Sequence, residues 1–510
     1  MAELIQTLLD NYLAVQPKDL LSEQIKLDAE SSEQRKAFVV TALSEWKNSR
    51  RRKEMITGQK YYDNFGEIRK RQTTVIDQDG NLKVAPYLAN NRIAHAFLRK
   101  LVKQKTGYIL SKPFIVSVDE GKEEFVRELK KYFTPAFYNM LKHAGKDGIV
   151  NGISWIQPYY DDEGILKFKR LPSLEVIAFW KDSEHLYLDA GIRTYNVTEY
   201  VGGSKRKVQC IDYFTPEAVY HYQASSDNTL LTDETWDYNF TMTLTKQDLI
   251  EQYGTDSLGM MWQRIPLIAI KYNQEETPLI RFVKEIIDDY DKHTSLMSNV
   301  LEDEPNKIKI VRNYDGTDKA EFQYNLAKFR TAFVREDGEI TTLDTHIDPD
   351  ALNSHLNRLR KDLYELGGGV DTQNQDLAAA SGTSLKFVYA DLDMDATEFG
   401  GELVVALEQI IWFIKQDILL RTGVDYTDTT VRITLNTDIA INETETITNL
   451  VNSKDVLSKR TLVEMHPYVE DVEDEMKRLA EDQEEEMMTL ADETEIAHAY
   501  DPPPTQASAS

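Results

Sequence analysis

The sequence is poor in the residues and runs that mark several common protein classes. Cys210 is the only cysteine among its 510 residues, which excludes disulfide bonds within the chain and suits a reducing compartment. No apolar run approaches the roughly 20 residues that a transmembrane helix needs, so we expect no membrane partner. The first residues include Glu3 and Asp10 but no basic segment, so we expect no secretory signal there.

Positive charge is also scarce. Lysine and arginine number 59 against 86 acidic residues, and the formal net charge is −27. Tight binding to nucleic acid requires cationic side chains that release counterions from phosphates. The composition therefore excludes a protein that grips nucleic acid over its whole surface, although brief contact with DNA stays compatible with it. A basic cluster at Arg50 to Lys53 has two interpretations, a solvated helix face, which we favour, and a contact with nucleic acid.

The signatures of common enzymes are missing from the sequence. No GxxxxGK[ST] phosphate loop, HExxH zinc motif or GxSxG nucleophile turn occurs. The nine histidines are scattered, without an evident metal-ligand spacing. We therefore expect no cofactor, no catalytic residue and no enzymatic activity.

One acidic segment comes close to a metal-binding pattern. Its carboxylates stand at positions one, three, five and twelve of a calcium-binding loop: Asp391, Asp393, Asp395 and Glu402. However, Ala396 occupies the place of the turn glycine, and Glu398 stands where an apolar residue is usual. The segment has two interpretations, a metal site of an acidic, metal-dependent nucleic-acid enzyme or the acidic start of a helix. We expect the second and predict no metal.

Hydrophobic periodicity predicts an α+β fold that is mostly helical. Alternation over 152–171 indicates two strands around a turn at 161–164, and further short strands extend to about residue 265. Three-four spacing over 278–303 indicates a long amphipathic helix whose apolar stripe includes Phe282 and Ile286. A small α+β insert follows, with a strand at 307–311, a short helix at 321–329 and a hairpin at 337–338.

A second long helix is predicted over 348–366. Asp348 is its expected N-cap, and Pro349 suits its first turn. Its leucines alternate at spacings of four and three, as in a heptad seam: Leu352, Leu356, Leu359, Leu363 and Leu366. A glycine-opened loop without lysine or arginine follows at 367–384. Then come a helix from about 385, apolar nearly all round and interrupted at Gly400–Gly401, a strand at 431–436, and acidic helices.

The order of these segments resembles the portal proteins, or head-tail connectors, of tailed double-stranded DNA bacteriophages, in the branch typical of long-tailed phages of Gram-positive hosts. The matching stretches span roughly residues 55 to 480 and include "GQKYYDNFGEIRKR", "NNRIAHAFLRKLVKQKTGYILSKPF", "NGISWIQPYYDDEGILKFKRLPSLEVIAFW", "SGTSLKFVYADLDMDATEF" and "LSKRTLVEMHPYVEDVEDEMKRL". No single stretch is diagnostic, but their order is specific.

The resemblance implies a portal fold with four parts. The expected divisions are an N-terminal segment (1–30), the wing (31–265 and 385–440), the first stem helix (266–303), the clip (304–347), the second stem helix (348–366), a tunnel loop (367–384), the helical crown (441–490) and an acidic, disordered tail (491–510).

The resemblance also implies an assembly and its partners. Family members form a ring of twelve or so subunits at one capsid vertex, so we expect the virion as location and the host bacterial cytoplasm as the place of assembly. Expected partners are double-stranded DNA bound without sequence specificity, the terminase large subunit, a head-completion adaptor, and the scaffolding and major capsid proteins. Another ring-forming virion adaptor is the alternative, but adaptors seldom need 510 residues.

By resemblance, the tunnel loop would line the channel and touch the passing duplex. Gln373, Asn374 and Gln375 offer weak hydrogen bonds to phosphates, which carry no sequence information. Asp371 and Asp376 would repel the DNA backbone over a Debye length of about 10 Å. The glycines are expected to let the loop shift: Gly367, Gly368, Gly369 and Gly382. Without the resemblance, an ordinary flexible linker would be the preferred interpretation.

The stem helices are expected to pack within and between subunits. The residues assigned to this packing are Phe282, Ile286, Leu352, Leu356, Leu359 and Leu363. A subunit alone would leave part of this apolar surface in water, so we expect obligate oligomerisation.

We predict that deletion of residues 370–380 leaves ring assembly intact and blocks DNA packaging, because the loop lies outside both flanking apolar patterns. A deletion variant that packages DNA normally would reduce the loop to a linker. Packaging efficiency and electron microscopy of the purified variant provide the two measurements.

Overall fold

The computed structural model describes most of the chain in two units. The first unit comprises residues 1–373 and 389–437, and the second comprises 374–388 and 438–510. The described residues are 31–76, 80–86, 88–118, 122–161, 163–201, 203–224, 231–232, 234–238, 240–242, 258–260, 262, 264–303, 308–314, 334–343, 348–373, 387–435, 443–469, 472 and 475–483.

Eight α-helices and sixteen strands are described in the first unit. The helices are α1 (Ser32–Asn48), α2 (Arg50–Tyr62), α3 (Phe97–Leu110), α4 (Glu123–Tyr132), α5 (Pro135–Asn151), α6 (Ile280–Asp303), α7 (Pro349–Leu366) and α8 (Ala390–Thr422). The strands are β1 (Thr74–Ile76), β2 (Leu82–Val84), β3 (Ile115–Val118), β4 (Ile153–Tyr160), β5 (Leu166–Leu171), β6 (Val176–Trp180), β7 (Leu188–Val201), β8 (Ser204–Phe214), β9 (Ala218–Ala224), β10 (Thr235–Tyr238), β11 (Phe240–Met242), β12 (Leu258–Met260), β13 (Ile268–Lys271), β14 (Ile308–Tyr314), β15 (Val334–Leu343) and β16 (Val431–Thr434). The α+β class predicted from the sequence is confirmed.

A five-stranded antiparallel sheet carries the first core. Its order is β10-β9-β8-β7-β6, and each strand pairs with the next along the chain. Helix α1 contributes Val39 and Ala42 to a buried cluster with Ile192 and Ile211 of the sheet. Because only alternate residues of a strand reach one face, this cluster accounts for the period of two in the sequence.

A three-stranded antiparallel sheet, β13-β4-β5, carries the second core. Trp155 of β4 is buried there together with Met55 of α2 and Phe214 of β8, so this core joins both sheets to the helical layer. The strands predicted around the turn at 161–164 are β4 and β5. Gly164 has a φ of +70° in that turn, which glycine adopts without strain.

Helix α8 is the longest helix among the described residues, at 33 residues. Phe399, Leu407 and Ile414 are fully buried along it, as its all-round apolar sequence predicts. The interruption predicted at Gly400–Gly401 is wrong, because the helix runs through both glycines. A helical glycine costs only about 1 kcal/mol relative to alanine, and burial of this length of apolar surface outweighs that cost.

Helices α6 and α7 confirm the two predicted long helices, and Asp348 caps α7 by accepting from the N–H groups of Asp350 and Ala351. Between them, β14 confirms the predicted strand and pairs antiparallel with β15. The hairpin predicted at Asp337–Gly338 is wrong, because both residues lie inside β15, near a register shift in the pairing. The helix predicted at 321–329 lies outside the described residues.

The second unit is described as three helical segments. They are α9 (Glu443–Asn452), α10 (Lys459–Glu464) and a segment at 475–483. Ser458 caps α10 by accepting from the N–H of Thr461. In the described part of the chain, no helix has both the length and the apolar character to cross a bilayer.

A buried ion pair fixes the junction between β13 and α6. Glu276 is 2% exposed, and its carboxylate lies 2.6 Å from Arg51 and 2.6 Å from His185. Burial acts to raise the pKa of Glu276, but the charge of Arg51 and the hydrogen bond with His185 outweigh it and the pKa is lowered. Arg51 of the basic cluster therefore forms a structural ion pair with Glu276, and Arg50 pairs with Glu54 on the same helix.

Gly152 permits this junction. Its φ is +85°, and an added Cβ would lie 2.1 Å from the backbone O of Glu276. We predict that Gly152→Ala lowers the free energy of unfolding by about 2 to 4 kcal/mol, from positive-φ strain plus the clash. The measurement is the midpoint of urea unfolding.

Gly203→Ala is the matched control, because Gly203 has a φ of +84° and no atom within 4 Å of an added Cβ. The free energy of unfolding of this variant should fall by about 1 kcal/mol, from the positive-φ strain alone. Equal losses in the two variants would show that the contact with Glu276 contributes nothing.

Candidate functional site

The segment that leaves α7 ends the helix in a tight glycine turn. The N–H of Gly369 donates to the O of Tyr364 at 2.8 Å, and the N–H of Gly368 donates to the O of Glu365 at 3.2 Å. Gly368 has a φ of +53°. This pair of bonds with a left-handed residue is the Schellman motif, which satisfies the last carbonyls of a helix. We call residues 367–373 the loop base.

The glycines of the loop base pack closely against helix α3. An added Cβ on Gly369 would lie 2.3 Å from Cδ2 of Leu101, and one on Gly367 would lie 2.8 Å from Cδ1 of the same leucine. Gly367 and Gly369 are both buried. The expectation that these glycines let the loop shift is therefore corrected: here, glycine allows close approach of the backbone to a neighbouring helix.

Helix α3 also holds the backbone after the glycines. The side-chain amide of Gln104 donates to the O of Val370 at 2.7 Å, and its O accepts from the N–H of Val370 at 3.2 Å. Val370 is 2% exposed. Gln104 thus satisfies both backbone polar groups of the buried residue Val370, which would be costly to leave unpaired.

Lys105 lies beneath the loop base with no exposed side-chain surface. Its Nζ donates to the O of Gly368 at 2.9 Å and lies 2.6 Å from a carboxylate O of Asp395, near the start of α8. The hydroxyl of Tyr272 donates to the other O of Asp395 at 2.5 Å. Burial lowers the pKa of Lys105, opposed by Asp395, and burial also raises the pKa of Tyr272.

Asp371 is paired rather than free. Its two carboxylate O atoms accept from Nε and Nη2 of Arg360 at 2.5 and 2.6 Å, and one also accepts from the N–H of Gln373. Hydrogen bonding to Arg360 lowers the pKa of Asp371. The expectation that Asp371 repels a DNA backbone as an isolated charge is therefore corrected, because a bidentate arginine neutralises it.

Three basic side chains of α3 lie next to the loop base: Arg99, Lys100 and Lys103. Together with Ala96 and Gln104 they line an open groove. The Nζ of Lys100 also donates to the hydroxyl of Thr372 at 3.1 Å. Our sequence analysis missed this face, although the basic residues at i, i+1 and i+4 of a predicted helix were a signal for it.

The remaining predicted loop residues lie outside the described residues: Asn374, Gln375, Asp376 and Gly382. Of the predicted site, the structure thus brings together Gly367, Gly368, Gly369, Asp371 and Gln373.

The predicted stem-packing residues divide into buried and exposed ones. Leu363 is 1% exposed, and the buried apolar residues of α6 include Val283 and Ile287. Half-buried are Ile286, Leu352, Leu356 and Leu359. Phe282 is 53% exposed and Leu366 is 62% exposed, so neither packs into the core of a single chain.

The acidic near-match does not form a calcium-binding loop. Its four carboxylates lie along the continuous helix α8, which confirms the interpretation as an acidic helix start. Asp393 accepts from the hydroxyl of Tyr108, Asp395 pairs with Lys105, and Glu402 lies 3.6 Å from Lys271. Within the described residues, the one group of side chains with converging metal-donor atoms lies elsewhere, between α6 and α7.

A family model for phage portal proteins of the SPP1 Gp6-like type matches residues 45–488. The chain belongs to the phage portal protein family. This confirms the resemblance, which was identified on roughly residues 55 to 480.

Two portal proteins of phages that infect Gram-positive bacteria are similar to this chain. The portal protein of Bacillus phage SPP1 is 28% identical over 431 residues, covering 83% of this chain and 82% of its own length. The portal protein of Clostridium phage phiCD119 is 27% identical over 446 residues, covering 84% and 92%. Both matches extend along most of each chain, so the relationship concerns the whole portal protein and not one module.

A solved structure described as the neck of a native GTA particle computed with C12 symmetry is 11% identical, covers 73% of this chain and 89% of its own, and has a TM-score of 0.39. The neck of an empty GTA particle computed with C6 symmetry is also 11% identical, covers 72% and 88%, and has a TM-score of 0.41. Both superpositions are too weak to support a statement about the assembly of this portal protein.

We predict that Arg360→Ala loosens the loop base of this portal protein. Loss of the pair with Asp371 should destabilise the segment by about 1 kcal/mol and raise the amide hydrogen-exchange rates of Val370 and Gln373 several-fold. Since Arg360 lowers the pKa of Asp371, the contribution is present at neutral pH and disappears as the pH falls through the folded-state pKa of that carboxyl.

Arg358→Ala is the control, because Arg358 is 82% exposed and lies 3.8 Å from Asp362 on the same helix. It should leave both exchange rates unchanged. If the amide hydrogens of Val370 and Gln373 exchange at the same rates in the two variants, Arg360 does not stabilise the loop base.

Proposed function

We propose that this portal protein forms a ring-shaped channel at one capsid vertex, through which double-stranded DNA enters during packaging and leaves at ejection. The observation that carries the proposal is the family match over residues 45–488. Under it, residues 31–265 and 385–440 form the wing, 304–347 the clip and 441–490 the crown. Helices α6 and α7 form the stem.

The proposed ring contains twelve or so copies of the chain. Exposed apolar side chains on the two stem helices support an assembly: Phe282 at 53%, Leu301 at 59% and Leu366 at 62%. Such side chains lose contact with water when neighbouring subunits pack on them, at roughly 25 cal/mol per Å² of buried apolar surface. The heptad spacing of the leucines in α7 suits helices that pack at a shallow angle.

The proposed contact with DNA begins where the loop base ends. Residues 367–371 are held by α3 and Arg360. We therefore assign the DNA contact to the residues from Gln373 onward, including Asn374, Gln375, Asp376 and Gly382. This segment contains no lysine or arginine. Cationic contacts to phosphate add affinity that would retard a sliding duplex, and an uncharged-to-acidic segment avoids them.

The remaining roles follow from this position in the virion. We propose that the terminase large subunit docks on the ring during packaging, that a head-completion adaptor binds afterwards, and that scaffolding and major capsid proteins contact the ring during nucleation of the procapsid. The chain itself acts as a structural component without catalysis. The enzyme alternative, which used the Asp391/Asp393/Asp395 cluster, loses support because Asp393 accepts from Tyr108 and Asp395 is engaged with Lys105 and Tyr272.

We predict that the purified chain forms rings in negative-stain electron microscopy, and that deletion of 374–380 preserves the rings while abolishing DNA packaging. This deletion replaces the wider one of residues 370–380, because Val370 and Asp371 belong to the loop base. The measurements are ring formation by microscopy and packaged DNA per particle.

Replacement of 374–380 by glycine and serine at unchanged length is the matched control. Partial packaging by this variant would show that both the length of the loop and its side chains contribute to DNA packaging. Normal packaging by the deletion would overturn the channel role of the loop, and a stable single subunit under all assembly conditions would overturn the ring.

A further inference from the structure

Helices α6 and α7 bring three metal-donor side chains together. Asp289 and His293 lie one turn apart on α6, and His355 faces them from α7. Nε2 of His355 lies 3.1 Å from Oδ2 of Asp289, and Nδ1 of His293 lies 3.2 Å from its Oδ1. One donor atom from each side chain can be chosen so that all three lie within 4.8 Å of one another.

This arrangement differs from the paired histidines nearer the core. His95 and His185 each have a single carboxylate partner, Asp291 at 2.7 Å and Glu276 at 2.6 Å respectively. In the cluster, by contrast, two imidazoles share the carboxylate of Asp289, and their rings meet edge to face with centroids 5.0 Å apart. Two imidazole nitrogens and one carboxylate form a donor set for a transition metal.

The separations suit a tetrahedral ion. With metal–nitrogen bonds of about 2.0 to 2.1 Å, the donor atoms around zinc stand about 3.4 Å apart. Each imidazole already stands near that separation from one carboxylate O of Asp289, His355 from Oδ2 at 3.1 Å and His293 from Oδ1 at 3.2 Å. Both imidazoles would share one O after a small rotation of the carboxylate. Nδ1 of His293 also lies 3.0 Å from the backbone O of Asp289, so binding would exchange this contact for the ion.

Solvent can reach the cluster. The side chains of Asp289, His293 and His355 are 35%, 30% and 43% exposed. A hydrated ion could therefore enter without unfolding, and a water molecule could complete the coordination.

We propose that Asp289, His293 and His355 bind a zinc ion that links helices α6 and α7. Imidazole ligands select zinc and its transition-metal neighbours over calcium and magnesium, which prefer oxygen ligands. The ion joins the middle of α6 to the first half of α7, two helices separated by more than forty residues of sequence. It therefore clips together the two ends of the intervening insert. This site is independent of the proposed channel function.

The test is isothermal titration calorimetry, in which zinc is titrated into the purified, untagged full-length chain. We expect each chain to bind one zinc ion through Asp289, His293 and His355. His355→Ala and His293→Ala should each weaken that binding by at least roughly tenfold. Cobalt, used as a visible probe, should give the intense absorption of a tetrahedral site in the wild type and lose it in both variants.

His143→Ala is the matched control, because His143 lies exposed on helix α5, away from the cluster. It should bind zinc like the wild type. His355→Gln, which keeps a polar side chain of similar length, guards against misfolding: it should retain the wild-type helical circular dichroism and still lose the ion. Absence of zinc binding in the wild type, or unchanged binding in both alanine variants, would overturn the site.

Discussion

The loop base depends on the contacts of one buried side chain, Lys105. A lysine without exposed surface is tolerated only where its donors find partners, and here they find the O of Gly368 and the carboxylate of Asp395. Lys105 of α3 thereby contacts both Gly368, two residues after the end of α7, and Asp395 in the first turns of α8. The loop between them is therefore tied at both ends to the same helix.

Close packing around that charge explains the glycines. With Lys105 and Leu101 beneath, the backbone at 367–369 has room for a hydrogen but not for a methyl group at any of the three positions. Gln104 and Arg360 then satisfy the next polar groups, Val370 and Asp371. The one carboxylate within residues 367–373 is therefore neutralised, and Lys100 of α3 donates to Thr372 beside it.

Local signals predicted the elements well where one effect dominated. Asp348 and Pro349 mark the start of α7, and the apolar sequence of α8 marks its burial. The same signals failed where two effects competed. Gly400–Gly401 suggested a break, but burial along α8 outweighs the backbone cost. Asp337–Gly338 suggested a turn, but both residues lie inside β15, within the register shift between its pairings at Val334 and Glu339. Similarly, the spacing of Asp391, Asp393 and Asp395 fits a loop, and helix formation changes where each carboxylate points.

The sequence by itself determined the family, the α+β class and the long helices, because these follow from residue order and from periodicities that repeat over many residues. Tertiary structure alone decided the chemistry of the site: which charges are neutralised, which glycines are tightly packed, and which histidines meet. Lys105 and Asp395, or His293 and His355, are far apart in sequence, and no local pattern encodes their contact. Their interaction energies depend on distance and burial, which exist only after the helices have packed.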